Sequence, residues 1–172
     1  MGMLRRKFLC VLLSGFVGFM LGFGIRVVIE GSSFVIAEWD QEPIVVVCPD
    51  STLAPFRMGR AIEWWQIREY KISHFHYDKD NSICNKGRFM EGIIFIRAKG
   101  EINPEFYATT ARFTVGKRLL SADIHLPNSN SNMDRLLEHE LGHALGLGHV
   151  SEDGHMMHPI HSQGGEKFWI PD

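Results

Sequence analysis

The chain has 172 residues, with 18 basic and 20 acidic side chains, nine histidines, three cysteines and a formal net charge of −2. With that balance and no basic stripe, composition argues against nucleic acid as a partner. Setting aside an apolar amino-terminal stretch leaves about 135 residues, room for a single domain with a core of its own.

In chain order, Arg5, Arg6 and Lys7 precede an uncharged run from Phe8 to Ile25, closed by Arg26. The run has the length of a short membrane span, and Val27, Val28 and Ile29 extend it past an Arg that can snorkel. Residues 1–29 are therefore expected to form a hydrophobic helix, an uncleaved membrane anchor, with a cleaved signal segment as the alternative. Gly22-x-Gly24 and Val35-x-Ala37 offer the small residues a signal peptidase needs. The excess of basic residues before the run keeps the amino terminus cytoplasmic and places the rest of a single-pass protein on the extracytoplasmic side. If the segment is cleaved, the protein is secreted. Cys10 reads as a buried apolar residue of this stretch.

Residues 30–42 read as a linker and 43–172 as the folded domain. Pro43–Cys48 is a β-branched run, expected as a strand buried on both faces. Pro49 to Thr52 turns the chain, and Ala54–Lys71 has the spacing of an amphipathic helix, with Ile62, Trp65, Ile67 and Tyr70 among its apolar residues. Ile72–Tyr77 alternates as a second strand. His74, His76, Asp78 and Asp80 fall at alternate positions there, either as a polar strand face running into a turn or as a second metal site. Gly92–Ala98, Thr109–Val115 and Ala122–Leu126 complete about five strands.

A helix follows, with Met133, Leu137, Leu141, Ala144 and Leu145 as its apolar stripe and Ser131-x-x-Asp134 as a candidate capping box before it. The stretch His139-Glu140-Leu141-Gly142-His143-Ala144-Leu145-Gly146-Leu147-Gly148-His149 reads H-E-x-x-H-x-x-G-x-x-H. His139 and His143 are one helical turn apart and leave the same side of the helix. Gly146 can take the left-handed conformation that ends the helix and folds the chain back, bringing His149 to the same metal. Three neutral imidazoles leave a fourth tetrahedral position open, the arrangement of a catalytic Zn²⁺. Glu140 lies beside the first ligand, within reach of a water there as general base.

Together with Gly154-His155-Met156-Met157-His158-Pro159, this motif resembles the metzincin clan of zinc metallopeptidases, and Met157-His158-Pro159 looks most like its matrixin branch. The resemblance covers roughly Pro43 to the end. It implies an α+β, zincin-like domain: a mixed twisted sheet and an active-site helix, behind the amino-terminal hydrophobic helix. It implies one catalytic Zn²⁺ on His139, His143 and His149, with Met157, or alternatively Met156, as the Met-turn residue beneath it. The activity implied is endopeptidase, with a protein or peptide substrate and a zinc-bound water activated by Glu140. In the family the fourth strand is the antiparallel edge above the cleft. By resemblance Thr109, Thr110, Ala111, Arg112, Phe113, Thr114 and Val115 would pair with an extended substrate. Asp123-Ile124-His125 looks faintly like the family's structural-zinc segment, but the partner histidine on the preceding strand is absent, so no additional structural metal is expected.

The sequence also departs from the family. Only 13 residues follow Pro159, so the long carboxy-terminal helix usual in the clan must be short or missing. Cys48 could act as a thiol switch on the metal, or pair with Cys84 in an oxidising compartment, or both could be buried thiols. Two other functions remain open: a membrane-tethered, catalytically inactive binding module of the same fold, and a zinc hydrolase acting on a non-protein substrate. The oligomeric state is not legible.

Overall fold

A computed structural model of the protein describes residues 34–98 and 106–171. The hydrophobic helix expected over residues 1–29 lies outside them. Among the described residues no helix is long and apolar enough to cross a membrane.

One mixed sheet of six strands forms the body: β1 (Glu38–Trp39), β2 (Ile44–Val47), β3 (Phe75–Tyr77), β4 (Ile93–Arg97), β5 (Thr109–Val115) and β6 (Arg118–His125). β3, β2, β4 and β6 are successive parallel neighbours. β5 runs antiparallel to β6 and pairs with no other described strand. Parallel strands between two layers are buried on both faces, which is why β2 and β4 are continuous β-branched and aromatic runs. A register shift between Phe113 and Thr114 leaves Leu120 of β6 without a partner on β5. Such a bulge bends the edge of a sheet.

Two helices pack together on this sheet. α1 (Pro55–Gln66) starts with proline in its first turn, where the missing N–H costs nothing, and buries Met58, Ala61, Ile62 and Trp65. It ends before the expected Lys71 because Glu69 takes a left-handed φ of 67°. The Tyr70 N–H then closes back on the Trp65 carbonyl at 3.2 Å, and the two rings stack edge-on at 5.0 Å. α2 (Leu136–Ala144) carries the first two histidines and the glutamate of the motif. Trp65 Nε1 donates to the Glu138 carbonyl at 2.8 Å, and Arg57 clasps the Glu138 carboxylate through both nitrogens at 2.5 Å. The long-range clasp fixes how α2 lies on α1.

Several expectations are corrected here. The sheet has six strands rather than five, because the stretch expected as a linker contributes β1. That stretch is no spacer over residues 34–39. The Val35 backbone bridges Leu147, Ile36 N–H donates to the Gly146 carbonyl at 2.8 Å, and Ala37 is buried. Cleavage at Val35-x-Ala37 would therefore cut through a paired segment. The Ser131–Asp134 capping box does not form. Arg135, with φ of 61° and no side-chain cap, precedes α2, while the Ser131 hydroxyl donates to the Asn128 carbonyl at 2.9 Å.

The chain after α2 runs in turns to a tail that folds back. Phe168 packs on Trp65 at 5.1 Å, on Tyr70 at 5.7 Å and on Phe34 at 6.1 Å between ring centroids. A single aromatic side chain anchors the carboxy terminus to the α1 layer.

Cys48, just past β2, is bonded to Cys84 with Cα atoms 5.8 Å apart. Cys48 therefore has no thiol to offer a metal. The turn bearing Cys84 is set by Asp78. Its buried carboxylate accepts the backbone N–H of Ser82, Ile83 and Cys84 at 3.1, 2.8 and 2.7 Å. Asp78 thus serves the turn, while His74 and His76 are exposed on the β3 edge, so the four alternating polar residues do not converge on a metal. The bond closes 36 residues of sequence. Cys48→Ser is expected to lower stability by about 2–4 kcal/mol, read by chemical denaturation. Intact mass of the parent should rise by about 2 Da on reduction.

Candidate active site

α2 presents His139 and His143 one turn apart, with Glu140 between them. Gly146 follows with φ of +100°, a conformation in which a side chain is strained, and reverses the chain. The reversal returns His149 to the helix. The Nε2 atoms of His143 and His139 are 3.1 Å apart, and those of His143 and His149 3.0 Å. Tetrahedral zinc with Zn–N bonds near 2.05 Å needs its nitrogens about 3.3 Å apart, so a few tenths of an ångström of adjustment would seat the ion. Among the described residues, this is the one group of three or more His, Cys, Asp or Glu whose ligand atoms come together.

The donor chemistry fits as well as the spacing. His139 Nδ1–H donates to the Met156 carbonyl at 2.8 Å, and His143 Nδ1–H donates to the Leu147 carbonyl at 2.9 Å. A proton fixed on Nδ1 leaves the Nε2 lone pair free and aims it. Burial holds His139 down at about 4, helped by the neighbouring imidazoles and opposed by its bond to Met156. Burial, with His139 and His149 beside it, also holds His143 well below the ordinary histidine range. Both rings are therefore neutral, as ligation requires, with no proton to displace at neutral pH.

The two methionines divide the labour between them. Met156 supplies the carbonyl that orients His139. Met157, fully buried, places its thioether against Gly142 on α2, between the two helical histidines. A Cβ on Gly142 would fall on the Met157 sulfur and come within 2.7 Å of Trp65 Cζ2. The sulfur packs beneath the helix only because position 142 has no side chain. His155 supports the turn from the other side. Its Nδ1 accepts the Met157 N–H at 3.0 Å, and its Nε2–H donates to the Trp169 carbonyl at 3.0 Å.

Glu140 is 5% exposed. Burial pushes its carboxyl up to about 7, against the lowering effects of a Thr110 hydrogen bond and the Arg112 charge. Both of those residues come from β5. Thr110 Oγ1 donates to Glu140 Oε2 at 2.5 Å. Arg112 Nη1 donates to the Leu147 carbonyl at 2.9 Å, and more distantly to that of His143 at 3.4 Å. A cation at these carbonyls suits the negative end of the helix dipole. Of the edge-strand residues expected to meet substrate, Thr110 and Arg112 thus send their side chains to the zinc helix and its turn. On the opposite face Phe113 packs on Phe89 at 5.6 Å. Alternation along β5 is the signal that puts Thr110 and Arg112 on one face; which face meets the helix is a tertiary fact.

A cleft of about 630 Å³ opens over these groups, lined by Tyr107 and Thr109 on one wall, Pro159 and Ile160 on the other, and the histidines and Glu140 at its floor. Tyr107 and His161 touch edge-on across it at 5.9 Å. Asp123 and His125 lie elsewhere, buried in β6. The Asp123 carboxylate is taken by Arg97 Nε at 3.0 Å and by His125 Nε2 at 3.2 Å.

Two glycines of the motif are therefore steric requirements. Gly142→Ala should destabilise by roughly 1–3 kcal/mol through overpacking, partly offset by better helix propensity. Gly146→Ala should cost more. It strains a left-handed residue and drives a methyl onto the Ala37 carbonyl oxygen. Thermal denaturation of both variants beside the parent measures the order.

Among curated proteins, none matches the chain at a significant level. The matrixin family model matches residues 61–172, from within α1 through the histidine motif and both methionines to the last residue. With that match lying over three converging imidazoles, a buried glutamate and a methionine beneath the helix, the chain belongs to the matrixin family of zinc metallopeptidases.

Proposed function

We propose that the protein is a zinc-dependent endopeptidase in which Glu140 is the general base and then the general acid. The observation that supports this most directly is the convergence of three imidazoles, with the His143 Nε2 3.1 Å from that of His139 and 3.0 Å from that of His149, on the floor of a cleft that also holds Glu140. His139, His143 and His149 would hold Zn²⁺. Bound there, the ion supplies Lewis acidity, polarising a carbonyl and making water acidic near neutral pH. Glu140 takes a proton from the attacking water as its oxygen bonds to the scissile carbonyl carbon. It then gives that proton to the amide nitrogen as the C–N bond breaks. A carboxyl raised by burial suits both halves of this exchange. β5, paired on one side only among the described strands, offers the backbone edge on which an extended peptide can add as a further strand. The β5 backbone would take part through that edge, with the Thr110 and Arg112 side chains serving from below.

Replacing His139 by Ala should lower zinc content and peptide turnover together. Glu140→Ala should retain one zinc per chain and lose about 10²–10⁴-fold in turnover, the usual worth of acid–base catalysis. Met157→Leu should be milder, since it keeps an apolar side chain of similar volume beneath α2. Metal analysis beside turnover of a mixed peptide library, for each purified variant, is the measurement. A Glu140→Ala protein that cleaves at the parent rate would refute the mechanism.

We further infer an extracytoplasmic domain held by a single amino-terminal anchor. The Cys48–Cys84 bond supports an oxidising compartment, and the basic residues before the apolar run support the orientation. Protease added to intact cells should digest the domain. A shielded domain, or a mature amino terminus beginning after Gly24, would overturn this placement.

A further inference from the structure

On the reading of Glu140 as the base, we propose that Thr110 is its positioning residue: the hydroxyl fixes one carboxylate oxygen and leaves the other to exchange the proton. Glu140 is buried as a whole residue, so its carboxylate has little water to orient it. Without a local donor it would take whatever rotamer packing allowed, and a base must lie within hydrogen-bond reach of its proton in a defined direction. Thr110 Oγ1 supplies that donor, 2.5 Å from Oε2 and 3.2 Å from the Glu140 carbonyl. The hydroxyl has one proton, and the shorter contact, to a group that carries charge when ionised, takes it. Oε2 is thereby occupied, and Oε1 is left to work.

The donor is held from outside the zinc helix. Thr110 is paired with Ile124 across the β5–β6 ladder, so its backbone is fixed by the sheet, while Glu140 is fixed by α2. A β-branched residue in a strand has few χ1 choices, which further restricts where the hydroxyl points. The same strand carries, on the side unpaired among the described strands, the backbone edge offered to substrate. Docking a peptide on β5 would therefore bear on the one strand that also orients the base. Thr110 could instead be a mere space filler, in which case valine, of nearly the same shape, would serve as well. The two roles predict different outcomes.

The test uses the full chain loaded with zinc, a fluorogenic peptide chosen from a mixed library by parent cleavage, and crystal structures of the parent and variants. Thr110→Val should lower kcat about 10- to 100-fold, the range for losing one hydrogen bond to a charged group, with KM little changed and zinc content equal to the parent. Thr110→Ser, which restores the hydroxyl, should recover most of the loss. In a Glu140→Ala background, Thr110→Val should add nothing, because the two act as one unit. In the crystal structures Oε2 should hold its position in Thr110→Ser and leave it in Thr110→Val. An undiminished kcat in Thr110→Val, or an equal loss in the Glu140→Ala background, overturns the proposal. A carboxylate that stays in place without the hydroxyl also overturns it, whether or not the parent cleaves peptides. A parent without turnover, but with a carboxylate that moves as expected, defeats the endopeptidase reading and leaves the positioning contact standing.

Discussion

The reversal at Gly146 is the constraint on which the site depends. Its left-handed backbone and missing Cβ let the chain turn within a few residues of α2, and they leave room for the Ala37 carbonyl to lie where a methyl would sit. Once the turn is made, its carbonyls face two ways. Gly146 O accepts Ile36 N–H from the amino-terminal segment, and Leu147 O accepts both His143 Nδ1–H and Arg112 Nη1. The turn that delivers the third histidine is thus tied at once to the second histidine, to the edge strand and to the start of the domain. Disturbing any of these ties moves His149 relative to the other two rings.

Burial then sets the chemistry. Taking His139 and His143 out of water removes their tendency to protonate, so they reach neutral pH ready to ligate. The same low-dielectric surroundings raise Glu140, a few ångströms of helix away. One physical cause keeps two histidines unprotonated and makes the glutamate readily protonated. The β5 side chains moderate it: the Thr110 hydroxyl and the Arg112 charge both favour the ionised carboxylate. The edge strand is therefore part of the electrostatics of the site as well as one wall of its cleft.

Two rings tie the chain that follows α2 to the rest of the domain. No α-helix follows α2 among the described residues. The turn bearing Met156 and Met157 is held by His155, which bonds the Met157 N–H on one ring nitrogen and the Trp169 carbonyl on the other. Phe168 inserts among Trp65, Tyr70 and Phe34. One imidazole and one phenyl ring thereby join the floor of the site to the α1 layer.

Much of this was determined by sequence because its physics is local. The one-turn spacing of His139 and His143, the glycine that must follow, and the β-branched runs of β2 and β4 act over a few residues, and a chain read one residue at a time carries them. Thr109–Val115 is legible as a strand for the same reason. What only the tertiary structure decided are contacts between residues far apart in the chain. That residues 34–39 belong to the domain rests on backbone pairing with Gly146–Gly148 and Leu119, groups that have no side-chain signature. A capping box at Ser131–Asp134 was available locally, but α2 begins one turn later, after a left-handed Arg135. Which methionine lies beneath the helix was decided by the open space at Gly142, and which face of β5 meets Glu140 by the register of that strand on β6. Side-chain identity fixes what a residue can do over one turn; only the packed chain fixes which neighbour it does it to.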